Sequence, residues 1–174
     1  TENGQKEIGH IVNYAVKNLF FSRKPEVIIL LTVFTLYVHI RLKKTRNKNH
    51  GIMLRAMAQL GRSDLHYVIA GRGALKEHLE LLAKELGVSK QLHLLGFRTD
   101  VKELFKMADF FAHPSFREGL SVAVMEAMAN GLPVICTEIR GNTDLIEDNK
   151  GGYLFKPAEQ ETAYRALENI MNPY

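Results

Sequence analysis

Short apolar runs alternate with helix-like segments from residue 50 to the end of the chain, and this alternation constrains the fold most strongly. The apolar runs read LHYVIA, QLHLLG, DFFAHP, PVICT and GYLF. Between them lie segments whose apolar residues recur every three or four positions, as in Leu75, Leu79, Leu82 and Leu86. Strands that alternate with helices of this length are typical of crossover units on a parallel sheet. The sequence therefore predicts a doubly wound α/β fold.

The predicted helices carry recognisable end signals. Asn49 is predicted to cap a helix that stops at Gly61. The segment DVKELFKMA opens with Asp100 and Glu103, which stand at the spacing of a capping box. A third helix is predicted over about residues 121–130, because a glycine and then a proline follow it.

A chain of 174 residues predicts one domain. We place it at residues 27–174 and interpret residues 1–26, which lack regular patterning, as a connector or peripheral segment. The domain would open with the apolar run VIILLTVFTLYVHI at residues 27–40. This run is too short for a spanning helix, which needs about twenty residues, and its Val, Ile and Thr content favours a buried strand starting near Val27.

The composition and net charge narrow the classes of protein and of binding partner to consider. Hydrophobic residues make up 46% and charged residues 24% of the chain, as in an ordinary globular domain. The net charge of +4 suits an anionic small molecule or a membrane surface, and it is too weak for a dedicated nucleic-acid binder. Cys136 is the single cysteine, so we expect a small buried hydrophobe and no intrachain disulfide. We expect a cytosolic location, with a peripheral position at the inner face of the membrane left open.

The loops that follow the predicted strands are rich in glycine and arginine. In chain order they read RLKKTRNKNH, GRG, GFRTD, HPSFREGLS and TEIRGNTD. In an open parallel sheet these loops meet at one edge, where the ligand crevice lies. Glycines let backbone amides approach a ligand closely, and the first turn of a helix attracts anions. The pattern predicts an anion site at this edge.

Two glutamates, Glu118 and Glu126, stand eight positions apart in SFREGLSVAVMEAMANGLPVICT. If the helix starts near Ser121, Glu126 lies about 7.5 Å along its axis. A carboxylate on a largely apolar helix is costly to bury without donors, and hydroxyl groups are suitable donors. We therefore expect a ligand with a phosphate at the helix start and a ribose further along. The alternative is that Glu126 faces solvent on an amphipathic helix.

The segment EGLSVAVME resembles the E-x7-E signature of the family-4 (group 1) retaining glycosyltransferases. The segments YVIAGRGALKEHLELLAKELGV and IRGNTDLIEDNKGGYLF follow the same pattern, across roughly residues 48–156. These segments are most similar in sequence to enzymes that build bacterial capsular polysaccharides or exopolysaccharides. The resemblance implies the donor-binding, Rossmann-like half of a GT-B architecture.

The resemblance implies roles for residues around the start of the predicted helix. Glu126 would bind the ribose hydroxyls of a nucleotide diphosphate sugar. Glu118 would hold the transferred sugar and act in catalysis. The backbone amides of Gly119, Leu120 and Ser121 would bind the diphosphate.

Further matching positions lie in the other loops. Lys48 would be the catalytic cation that neutralises the leaving diphosphate, and Gly71 and Gly73 would shape the loop beneath that group. Phe97 and Arg98 would border the nucleobase, and the backbone of Arg98 would be the group that recognises it. The sequence has no Asp-x-Asp motif and no metal-ligand spacing of histidines, so no metal and no cofactor are expected.

The family's acceptor site belongs to an N-terminal domain that this chain cannot contain, so the chain by itself would be inactive as a hexosyl transferase. Between residues 27 and 47 the sequence departs from the family pattern: the loop is longer and basic, lacks a glycine and carries Phe34. A second hypothesis is therefore a non-catalytic remnant, or a module in which residues 27–48 bind a membrane surface or a partner. Nucleic acid is not an expected partner.

Overall fold

The computed structural model describes residues 27–31, 45–71 and 73–172. Within them, the strands are β1 Val27–Leu31, β2 Leu65–Ala70, β3 Leu92–Gly96, β4 Phe110–His113, β5 Val134–Thr137 and β6 Gly152–Phe155. They form one sheet in the order β3-β2-β1-β4-β5-β6, and every neighbouring pair is parallel. The strand order reverses between β1 and β4, so the crevice beyond their carboxyl ends is where a sheet of this kind binds ligands.

Helices connect the strands in the manner of crossover units. They are α1 His50–Leu60, α2 Lys76–Glu85, α3 Val101–Met107, α4 Val122–Ala129, α5 Arg140–Thr143 and α6 Gln160–Met171, with 3-10 turns at Thr45–Lys48 and Ser89–Gln91. α1 ends where Gly61 adopts a left-handed φ of 69° and donates its amide to Met57 O. Glycine takes this conformation at little cost, which explains the stop.

Apolar side chains fill both faces of the sheet. On one face, helices α1, α2 and α6 cover a core that includes Tyr67 and Phe155, which are almost fully buried. On the other, α3 and α4 cover a second core, in which the rings of Phe105 and Phe111 meet edge to face at 5.7 Å. Burial of both faces explains why the strands read as continuous apolar runs.

The structure confirms the doubly wound α/β fold and the strands LHYVIA and GYLF residue by residue. Two predicted caps are wrong. Asn49 precedes α1 in a left-handed conformation, with φ 44°, and its side chain donates to Pro157 O at 2.8 Å instead of capping the helix. The Asp100 carboxylate makes no cap bond, because it accepts a hydrogen bond from Arg98 Nε at 2.8 Å.

Several sequence predictions fall on residues outside the described ones. These are the connector at residues 1–26, the part of the apolar run after Leu31, the basic residues 41–44, and Phe34. The described part of that run, β1, confirms a strand beginning at Val27. In the part of the chain that the structure describes, no helix combines the length and apolar character needed to cross a membrane.

Candidate functional site

The site begins where the loops after β1 and β4 meet at the reversal of strand order. Asn47, in the 3-10 turn after β1, accepts a hydrogen bond at its carbonyl from Phe116 N at 2.7 Å. Its side-chain amide donates to Arg117 O at 2.6 Å. These two bonds join the loops side by side, so that the next residue of each loop, Lys48 and Glu118, face one another.

Lys48 and Glu118 form an ion pair. Lys48 Nζ lies 2.5 Å from Glu118 Oε1, and both side chains are 20% exposed. Burial alone would raise the pKa of the Glu118 carboxyl, but hydrogen bonds from His113 and Lys48 and the charge of Lys48 lower this pKa to about 2. Glu118 is therefore ionised at neutral pH, and its oxygens act only as acceptors.

His113, the last residue of β4, is the third member of this cluster. Its ring is 1% exposed, and Nε2 lies 3.3 Å from Glu118 Oε1 and 3.2 Å from Ser121 Oγ. Burial lowers the pKa of His113, and the hydrogen bond to Glu118 acts in the opposite direction without cancelling it. His113 is therefore a neutral ring that links Glu118 to the start of α4.

Ser121 caps α4, at the position where the sequence predicted that this helix starts. Its Oγ accepts from Val124 N at 3.4 Å, and its backbone is extended. Among the described residues, no hydrogen bond takes up the amides of Gly119, Leu120 and Ser121. The Leu120 side chain is 59% exposed, and the space over the Gly119 α-carbon is open to at least 4 Å. Free amides at an open helix start are an anion-binding arrangement.

The short helix α5 packs against the backbone of the loop at Glu118 and Gly119. A methyl group on Gly141 would lie 1.5 Å from Gly119 O and 2.9 Å from Glu118 O, so only glycine permits this contact. Thr137 Oγ1 donates to Ser115 O at 2.6 Å, and Asn142 Nδ2 donates to Thr137 O at 2.9 Å. The loop backbone is thus fixed by buried groups of β5 and α5.

Glu126 lies on α4, one residue before the buried Ala127. Its Oε2 atom is withdrawn from solvent and has no hydrogen-bond partner among the described residues. A buried acceptor left without a donor costs about 1–3 kcal/mol. This observation disfavours the alternative in which Glu126 faces solvent, and it identifies an acceptor that a ligand hydroxyl would satisfy.

The remaining predicted residues lie at the ends of β2 and β3. Gly71 has a φ of 143°, and its amide donates to Gly96 O at 2.6 Å. Phe97 follows directly and is 42% exposed. The Arg98 guanidinium is paired with Asp100, which supports the expectation that the backbone of Arg98, and not its side chain, faces a ligand. Gly73 has open space beyond its α-carbon.

The structure therefore joins Lys48, Glu118 and Ser121 through direct contacts or through His113. Gly71, Phe97 and Arg98 follow the neighbouring strands β2 and β3, at the same end of the sheet. Sequence reasoning missed His113. The sequence signal for it was a histidine at the end of the apolar run DFFAHP. A residue that only packed in the core would be expected to be apolar at this position. Across the described residues, no group of three or more His, Cys, Asp or Glu side chains is arranged to hold a metal ion.

Comparison with known proteins gives a consistent family. Residues 32–173 match the family described as glycosyl transferases group 1. One relative is the Campylobacter jejuni enzyme N-acetylgalactosamine-N,N'-diacetylbacillosaminyl-diphospho-undecaprenol 4-alpha-N-acetylgalactosaminyltransferase. The two sequences are 33% identical over 127 residues, and this alignment covers 72% of this chain and 34% of the relative. The chain is also 28% identical over 149 residues to the lipopolysaccharide glucosyltransferase WaaG of Escherichia coli, covering 75% of this chain and 40% of WaaG.

Solved structures agree on the fold. The chain superimposes on Anabaena HepE in complex with UDP-glucose with a TM-score of 0.74, at 22% identity, over 86% of this chain and 40% of HepE. The likeness confirms one half of a GT-B architecture. In each comparison the chain spans two fifths or less of the relative's length.

Proposed function

Because the chain belongs to the group 1 glycosyl transferases, we propose that it is the donor-binding domain of a retaining enzyme and that its site binds a nucleotide diphosphate sugar. The site supplies acceptors for hydroxyl groups at Glu118 and Glu126, and it supplies donors for an anion at Lys48 and the start of α4. A nucleotide sugar carries hydroxyl groups at both ends of a diphosphate. The hydroxyl groups of such a ligand would meet the acceptors, and its diphosphate would meet the donors.

The observation that carries the proposal is the buried, unpartnered Oε2 of Glu126. Within the described residues nothing donates to this atom, although it is withdrawn from water. The two hydroxyls of a ribose would supply the missing donors, and hydrogen bonds to a charged group are worth about 1.5–3 kcal/mol each. An atom that is costly in the free protein and satisfied by the ligand is the expected signature of a binding residue.

Lys48 and the α4 amides would hold the diphosphate. As the bond to the sugar breaks, negative charge develops on the leaving diphosphate, and fixed donors aimed at that charge stabilise the transition state. Glu118, fixed by two donors at Oε1, would accept a hydroxyl of the transferred sugar. Phe97 and the backbone of Arg98 would border the nucleobase, and Gly71 and Gly73 would let the loop approach the diphosphate.

The acceptor and the complete transfer reaction are proposed for the whole protein, of which this chain supplies one half of the cleft. The Campylobacter relative is named for a diphospho-undecaprenol acceptor. We therefore propose a lipid-linked glycan as the first acceptor class to test, with transfer of a hexose in polysaccharide biosynthesis. This acceptor would bring the protein to a membrane surface.

Titration calorimetry of the chain with uridine, guanosine and adenosine diphosphates tests the donor site. HepE, which shares the fold, was solved with UDP-glucose, so UDP is the first choice. We expect at least one of the three to bind with a dissociation constant below the millimolar range, without added metal. The absence of binding by all three at millimolar concentration would contradict the proposal.

A further inference from the structure

His113 lies where the two functions of the proposed site meet. Its Nε2 atom is 3.3 Å from Oε1 of Glu118, at the sugar end, and 3.2 Å from Oγ of Ser121, at the diphosphate end. The ring is 1% exposed, and it packs parallel to Phe111 with the ring centroids 6.1 Å apart. The buried ring thus lies beside a carboxylate that is itself 20% exposed.

The charge of Glu118 selects one tautomer of His113. The ionised Glu118 carboxylate can only accept, so the nitrogen that faces it must carry the hydrogen. That nitrogen is Nε2, whose single hydrogen is then shared between Glu118 Oε1 and Ser121 Oγ, and a neutral ring leaves Nδ1 without a hydrogen. In agreement, Nδ1 is buried and has no hydrogen-bond partner among the described residues, where an N–H group would be left without an acceptor.

The charges around the ring favour the neutral form. Lys48 faces the same carboxylate oxygen as His113, so a charged ring would bring two cations to one side of the site. The neighbouring His50, at the start of α1, is also kept neutral: burial first, then the charges of Lys48 and His113, lower its pKa to about 3. Lys48 therefore supplies the positive charge beside Glu118, and His113 supplies a neutral N–H donor to the same carboxylate.

We propose that His113 is a positioning residue that orients the Glu118 carboxylate through a hydrogen on Nε2 and ties this carboxylate to the N-terminal turn of α4 through Ser121. Its role rests on the proposed function, since Glu118 is the group expected to hold the transferred sugar. Lys48 and His113 both meet Oε1, and Oε2 is the oxygen of Glu118 that would accept from a sugar hydroxyl. The ring itself does not touch the donor.

The variants His113→Gln and His113→Leu separate positioning from packing. The Gln amide can donate a hydrogen bond from nearly the position of Nε2, whereas Leu fills similar volume and donates nothing. The first measurement is the carbon-13 NMR titration of the Glu118 carboxyl in the chain without nucleotide. We expect a pKa of about 2 in the wild type, a similar value in His113→Gln, and a value at least one unit higher in His113→Leu.

The second measurement is the affinity for UDP and for UDP-glucose by calorimetry. Because Glu118 faces the sugar, we expect His113→Leu to lose about tenfold in the preference for UDP-glucose over UDP while its UDP affinity changes less than about twofold. His113→Gln should recover most of the preference. Should His113→Leu not fold, His113→Asn serves instead, since its shorter side chain does not reach Glu118.

An unchanged Glu118 pKa in His113→Leu would overturn the inference, and so would an equal loss of affinity for UDP and UDP-glucose. Failure of the wild type to bind any nucleotide would contradict the proposed function alone, because the NMR titration tests the positioning of Glu118 without a ligand.

Discussion

Lys48 Nζ and Glu118 Oε1 lie 2.5 Å apart although 70 residues separate them in the chain. The pair exists because β1 and β4 are neighbours in the sheet, and because Asn47 joins the two loops through Phe116 and Arg117. It places one negative and one positive charge at the reversal of strand order. A ligand that offers hydroxyls to the carboxylate and phosphate oxygens to the ammonium group can engage both partners.

The ion pair predicts a pH dependence of stability that depends on Glu118. Its pKa is lowered from 4.5 to about 2, since hydrogen bonds from His113 and Lys48 outweigh the effect of burial. A lowered pKa in the folded state contributes stability that is fully present above pH 4.5 and is lost as the pH falls towards 2. We expect this contribution to be about 2 kcal/mol, discounted for partial exposure to solvent.

Urea unfolding of the wild type and Glu118→Gln between pH 6 and pH 2.5 measures this contribution. The free energy of unfolding of the wild type should fall by the larger amount, and the two curves should converge at the acid end. A constant difference between the two proteins over the whole range would contradict the assigned pKa.

Gly141 is predicted to be essential for the shape of the donor loop. A methyl group there would overlap the Gly119 carbonyl at 1.5 Å, and backbone atoms cannot move aside as a flexible side chain would. We expect Gly141→Ala to lower the free energy of unfolding by about 3 kcal/mol, at the upper end of overpacking costs, and to weaken nucleotide binding. Gly119→Ala is the matched control for stability, since its methyl group would meet nothing within 4 Å. Equal stability of the two variants, measured by urea unfolding, would contradict this packing.

The sequence predicted the sheet well because both of its faces are buried. LHYVIA and GYLF form strands at the predicted residues, since an apolar run between helices has few other ways to be covered on both sides. The same reasoning placed α4 to within one or two residues, because Ser121 and Gly131 mark its ends with local chemistry.

The two wrong caps have separate causes: one side chain has a partner distant in the sequence, and the other chooses between two local partners. The Asn49 side chain donates to Pro157 O, 108 residues away, and so makes no cap bond to the helix that follows it. Asp100 had two local options and pairs with Arg98 instead of the helix amides. His113 lies close to Glu118 and Ser121 in the sequence, but its contacts with them depend on the path of the loop after β4, which the sequence pattern did not predict.

Cys136 is predicted to be chemically inert in the folded protein. It is fully buried in β5, and burial, followed by the charge of Asp148, raises the pKa of its thiol to about 12. Because the thiolate is the reactive form, labelling by a thiol reagent at pH 8 should be slow in buffer and complete within minutes in denaturant. Fast labelling in buffer would show that β5 opens readily.

If Glu126 binds the ribose of the donor, its effect on affinity is coupled to that of the 2′-hydroxyl, and a thermodynamic cycle measures this coupling. Calorimetry would compare the best-binding nucleoside diphosphate with its 2′-deoxy form in the wild type, in Glu126→Ala, and in Glu85→Ala as a control on α2. Loss of the 2′-hydroxyl should cost the wild type and Glu85→Ala about tenfold in affinity and cost Glu126→Ala almost nothing. The same cost in all three proteins would contradict the assignment of Glu126 and, with it, the orientation of the nucleotide in the site.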